Sequence, residues 1–90
     1  MSEKRSIENL IKGQLTIFKN NGMENQTVTI SVPKITQDKR GEFPEIEITS
    51  LIEVLIDILG YEPEILSSQI LYSDKMATII LTFIFLGFKK

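Results

Sequence analysis

The chain has 90 residues, of which 42% are hydrophobic and 24% are charged, and its formal net charge is −2. This length permits one domain with a thin core, which we place over residues 1–90. The chain contains no Cys and no His. Disulfides, thiolate metal sites and a histidine base are therefore excluded, and we expect no cofactor and no metal. The lack of Cys and of an apolar leader after Lys4-Arg5 favours a cytoplasmic location.

The first predicted element is a short amphipathic helix over residues 3–12. Ile7, Leu10 and Ile11 follow the i, i+3, i+4 spacing of one helical face. Gly13 stands where a helix commonly ends, because glycine adopts the left-handed conformation of a C-cap.

A β-hairpin is predicted next. The segments Leu15–Phe18 and Thr27–Val32 both alternate apolar and polar residues, as half-buried strands do. Asn20-Asn21-Gly22 lies between them and favours a tight turn, since Asn and Gly tolerate positive φ angles. A two-residue turn at Asn21-Gly22 pairs Leu15 with Val28, although a longer loop fits as well.

The middle of the chain is polar and then turns apolar. Pro33–Pro44 is the most polar stretch, with a turn predicted over 38–41, and Glu45–Ile48 is expected to form a short strand. Ser50-Leu51-Ile52-Glu53 has the spacing of a capping box, so we expect a helix over Leu51–Leu59 that ends at Gly60. This helix is apolar on almost every side, which predicts burial on more than one side.

The C-terminal third is expected to form a second hairpin. Pro63 starts a helical turn over 64–68, and Gln69–Tyr72 follows as a strand; a single helix over 63–72 is the alternative. Ser73–Lys75 is a turn. Met76–Phe88 is the strongest strand and does not alternate, which is typical of a strand covered on both faces.

Together these elements predict a small two-layer α+β domain. Two β-hairpins form its antiparallel sheet, and one central buried helix lies between them in the chain. A short helix precedes them at the N-terminus. The predicted order is α-β-β-(β)-α-β-β, with the helices on one face.

The apolar residues exceed what one small interior holds, so we expect a homodimer or higher oligomer. A monomer whose loops cover the second face, and a complex with a different protein, are the alternatives. The expected oligomer interface comprises Ile79, Leu81, Phe83 and Phe85 of the last strand and Val54 and Ile58 of the central helix.

Charge is segregated along the chain. Residues 42–74 hold eight acidic residues and no Lys or Arg, which predicts an acidic surface that attracts a basic partner. The candidate acidic residues are Glu45, Glu47, Glu53, Asp57, Glu62 and Glu64. The candidate partner-binding loop comprises Lys34, Lys39, Arg40 and Phe43.

The residue inventory favours interaction over catalysis. Glu45 with Glu47 and Glu53 with Asp57 are spacings that solvated surfaces often show, and no phosphate-binding glycine loop is present. We expect a non-enzymatic accessory, assembly or inhibitor protein of a kind typical of bacteria and their phages. One alternative is a nucleic-acid-associated regulator that uses the basic 34–40 loop. The other is a membrane-surface protein that uses Phe83, Phe85 and Phe88, with no transmembrane segment.

Overall fold

A computed structural model describes residues 3–36, 48–73 and 76–89, with side chains over 7–33, 51–73 and 77–89. Within these ranges five elements follow one another: helix α1 (Glu3–Asn20), strand β1 (Gln26–Thr36), helix α2 (Ile48–Leu59), and strands β2 (Ile65–Tyr72) and β3 (Met76–Phe85). The strands form one antiparallel sheet in the order β1-β3-β2. The predicted α+β class is confirmed.

Helix α1 is longer than the sequence suggests and replaces the first predicted strand. It continues through Gly13 and Leu15–Phe18 to Asn20, so the predicted end at Gly13 and the strand over Leu15–Phe18 are wrong. Ile7, Ile11, Leu15 and Phe18 are spaced by four, four and three residues and join one core cluster. This stripe outweighs a four-residue alternation, and Gly13 is exposed with no neighbour that an added Cβ would meet.

The Asn-Asn-Gly segment ends this helix and does not turn a hairpin. Gly22 has a φ of +73°, its N–H donates to the Lys19 carbonyl at 3.1 Å, and the Met23 N–H donates to the Phe18 carbonyl at 2.9 Å. These two bonds define a Schellman motif, which the contact of Met23 and Phe18 with the core completes. The predicted hairpin is wrong. A glycine at positive φ is compatible with both a hairpin turn and a helix C-cap, so the Asn-Asn-Gly segment alone does not distinguish the two.

Strand β1 pairs with the last strand of the chain. The predicted strand over Thr27–Val32 is confirmed, but Val28 lies opposite Phe83 and Ile30 opposite Leu81. The register shifts between Pro33 and Ile35, as expected where a proline cannot donate to the ladder.

The boundaries of α2 and β2 also differ from the predictions. Helix α2 begins at Ile48, so Ser50 lies inside the helix and does not cap it; its end at Gly60 is confirmed by a φ of +85°. Residues 64–68 are not a helical turn, because the strand already begins at Ile65 and extends to Tyr72. The predicted features over 37–47, including Glu45–Glu47, and the turn residues 74–75 lie outside the described residues.

The core lies between the two helices and one face of the sheet. Every second residue of β3, from Ala77 to Phe85, is fully buried. Leu15 of α1 and Leu55 and Leu59 of α2 pack in the same cluster as Phe83. The opposite side of β3 is only half-buried, so over the described residues this strand is fully covered on one face alone.

Two glycine substitutions test the path of α1. Gly13→Ala should raise the free energy of unfolding by about 0.5–1 kcal/mol, because alanine is the better residue in an exposed helix interior. Gly22→Ala should lower it by about 1 kcal/mol, because an L residue is strained at positive φ. Urea denaturation of both variants measures the difference, and a destabilised Gly13→Ala variant would place the helix end at Gly13 instead.

Candidate interaction surface

The face of the sheet turned away from the helices, which we call the open face, is built in four rows across the strands. Each row contains residues that lie opposite one another in the ladder and therefore point to the same side. In order, the rows are Pro33–Thr78–Leu71, Ser31–Ile80–Gln69, Thr29–Thr82–Ser67 and Thr27–Ile84.

The open face is mainly hydroxyl-bearing, and its central strand alternates Thr78 and Thr82 with Ile80 and Ile84. Ile80 and Ile84 on β3 are half-buried, whereas the residues that β1 and β2 contribute are exposed. The hydroxyls of Thr29 and Thr82 lie 3.0 Å apart and share a hydrogen bond across the strands. Such Thr–Thr pairs stabilise neighbouring strands.

The absence of charge distinguishes this surface. None of the residues in the four rows is Asp, Glu, Lys or Arg, although 24% of the chain is charged. A solvated sheet face usually carries charged side chains, so a face without them suits contact with another surface.

The two edges of the sheet are treated differently, and the β1 edge is protected. The Gln14 side chain on α1 reaches over this edge. Its Nε2 donates to the Ser31 carbonyl at 2.7 Å and its Oε1 accepts from the Ser31 N–H at 3.0 Å. Pro33 and the adjacent register shift further interrupt the edge. Proline and bulges of this kind prevent edge-to-edge pairing in natural sheets.

The β2 edge has far less protection. Residues 65–72 include no charge and no proline, and their single irregularity is the register shift between Ile65 and Ser67. Leu66, Leu71 and Tyr72 are 47%, 51% and 63% exposed. Long uncharged edges with exposed apolar side chains are the ones that pair with another chain.

The six residues expected at an oligomer interface are mostly interior. Ile79, Leu81, Phe83 and Phe85 are completely buried in the core of the single chain, and Val54 is 9% exposed. Ile58 is half-buried against the same core. A charge placed at one of the buried positions would disrupt the core, since an unpaired buried charge is costly.

The predicted charged surfaces are only partly described. Glu53 and Asp57 are exposed one turn apart on α2, and Glu62 and Glu64 are exposed before β2. The backbone of Lys34 belongs to β1. Five predicted residues lie outside the described ranges: Lys39, Arg40, Phe43, Glu45 and Glu47.

The aromatic residues of the last segment contact their own chain. Phe83 and Phe85 are buried, and the Phe88 ring packs edge-on against Phe85 with centroids 5.6 Å apart. Lys19 Nζ lies 5.6 Å from the centre of the Phe88 ring, a cation–π arrangement. The candidate membrane-contact residues therefore pack within the fold.

Tyr61 holds the segment after β3 against the end of α2. Its hydroxyl accepts a hydrogen bond from the Leu86 N–H at 2.8 Å, and the Lys89 N–H donates to the Leu59 carbonyl at 3.0 Å. Burial raises the pKa of the Tyr61 hydroxyl above its usual range, and the hydrogen bond from Leu86 partly opposes this shift.

Among residues 3–36, 48–73 and 76–89, no three acidic side chains come together as a possible metal site, and no helix is long and apolar enough to cross a membrane. No protein-family model, curated protein or solved structure matches the chain.

Removing the Gln14 side chain tests the protection of the β1 edge. Gln14→Ala should lower the free energy of unfolding by about 1 kcal/mol, because two hydrogen bonds to Ser31 are lost at a partly exposed site. Exchange of the Ser31 amide proton should accelerate. Lys12→Ala on the exposed side of the same helix is the control, and equal Ser31 exchange in both variants would contradict the assignment.

Proposed function

We propose that this chain is a non-enzymatic protein–protein interaction module that works as a homo-oligomer, in an accessory, assembly or inhibitor role. The observation that carries the proposal is the absence of charge across the open face and along β2. The two surfaces are continuous, since Ser67, Gln69 and Leu71 belong to both.

The distribution of polar groups supports association over catalysis. The open face offers hydroxyl groups, one amide and apolar side chains, which serve packing and hydrogen bonding across an interface. General acid–base or nucleophilic catalysis needs a titratable or activated group, and the open face has no carboxylate, amine or guanidinium.

The acidic residues give the module a second, separate surface. Glu53 and Asp57 are exposed on α2, with Glu62 and Glu64 exposed before β2. Carboxylates of one sign keep a small protein soluble and attract basic surfaces over a distance. A second protein with a basic surface is the partner that this chemistry fits, and the cytoplasm, a reducing compartment, suits a chain without Cys.

The mass of the protein in solution tests this proposal. Light scattering behind a sizing column should give at least twice the mass of one chain at high protein concentration. The mass should be the same at low and high salt, because contacts between uncharged surfaces are not weakened by screening. A monomer at every concentration and salt would contradict the proposal, and a mass that falls with salt would assign the contact to charged residues.

A further inference from the structure

We infer that β2 pairs in antiparallel fashion with the β2 strand of a second copy, so that two three-stranded sheets become one continuous six-stranded sheet. This inference rests on the proposed self-association and names the surface that produces it. The symmetric contact uses the same strand of each copy and closes after two chains, as two-fold interfaces do.

The contrast between the two sheet edges is the first argument. The β1 edge is covered at Ser31 by the paired hydrogen bonds from Gln14. Over the described ranges, no bond from outside the ladder reaches residues 66–71 of β2. Alternate residues of an edge strand direct their N–H and C=O groups outward. The β2 edge therefore offers outward backbone groups over residues 66–71, whereas Gln14 occupies those of Ser31 in the middle of the β1 edge.

The exposed apolar side chains are the second argument. Leu66, Leu71 and Tyr72 are three of the six large hydrophobic residues that are exposed in the described part of the chain. A two-fold axis near the middle of β2 brings the beginning of one strand close to the end of the other. Leu66 of one copy then lies near Leu71 and Tyr72 of its partner, and this apolar area leaves water.

Charge permits a second copy, and the exposed apolar residues at both ends of β2 favour it as the occupant. A two-fold contact places a surface against itself, so a surface of one sign repels its own copy. The outer side of α2 carries Glu53 and Asp57, and that of α1 carries Lys12 and Lys19, whereas residues 65–72 carry no charge. Residues 65–72 therefore add no like-charge repulsion to the contact, and the nearest exposed charge that the structure describes is Glu64, immediately before the strand.

This arrangement enlarges the open face. Residues opposite each other in an antiparallel pair lie on the same side of the sheet, so the open faces of the two copies become one uncharged surface. An edge contact of this length buries less than the roughly 800 Å² per partner of a standard interface. We therefore expect a dimer that dissociates on dilution.

A lysine on the strand edge tests the inference. Leu71→Lys places one positive charge on each β2 strand where the copies meet, which should raise the dissociation constant of the dimer about a hundredfold. The exposed position accepts lysine without loss of the core. Ile17→Lys is the matched control, because Ile17 is 59% exposed on α1 and the chemical change is similar.

The solution masses of the wild type and three lysine variants separate the outcomes, with circular dichroism to confirm that each is folded. The inference predicts that Leu71→Lys is monomeric while Ile17→Lys and Thr29→Lys, the latter on the far side of the open face, remain dimeric. A dimeric Leu71→Lys variant would overturn the β2 pairing and leave the proposed self-association standing. Dissociation by Thr29→Lys alone would move the contact to the open face, and a monomeric wild type would refute both proposals.

Discussion

The central strand β3 determines the rest of the structure, because it is hydrogen-bonded to a strand on each side and only one of its faces is covered by helices. Its residues from Ala77 to Phe85 alternate between complete burial and half-burial. Two helices of 18 and 12 residues cover one face of a three-stranded sheet. The helices cover only that face, so individual side chains determine whether the second face of the sheet and its two edges are protected or exposed.

The degree of protection differs from one of these surfaces to the next. Gln14 covers the β1 edge at Ser31. The segment after β3 packs Phe88 against Phe85 and binds the end of α2 through Tyr61 and Lys89. Of the side chains that the structure describes, those of Glu53, Asp57, Glu62 and Glu64 are exposed on α2 and before β2, and none in the open face is charged. The open face and β2 are left uncharged and exposed, which is the basis for assigning the protein an interaction role.

The sequence predicted correctly those features whose residue pattern is compatible with a single type of structure. The strong β-branched run of β3 and the α+β class are examples. The α1 error arose because Leu15–Phe18 alternates over four residues yet also extends the helical stripe, and Gly22 suits both a hairpin and a Schellman motif. The pairing of β1 with β3 joins residues 40 or more apart, and periodicity contains no information on that partner. The open face could not be predicted from the sequence for the same reason, because its residues come together only when the three strands are paired in register.

Amide hydrogen exchange at low and high protein concentration is the most direct measurement of where two copies meet. Backbone N–H groups that become hydrogen-bonded between chains exchange more slowly as the dimer forms. The account predicts slower exchange at high concentration for the outward-facing amides of residues 66–71, and unchanged exchange in α1 and β1. Slowing confined to the helices, or no dependence on concentration anywhere in the chain, would contradict it.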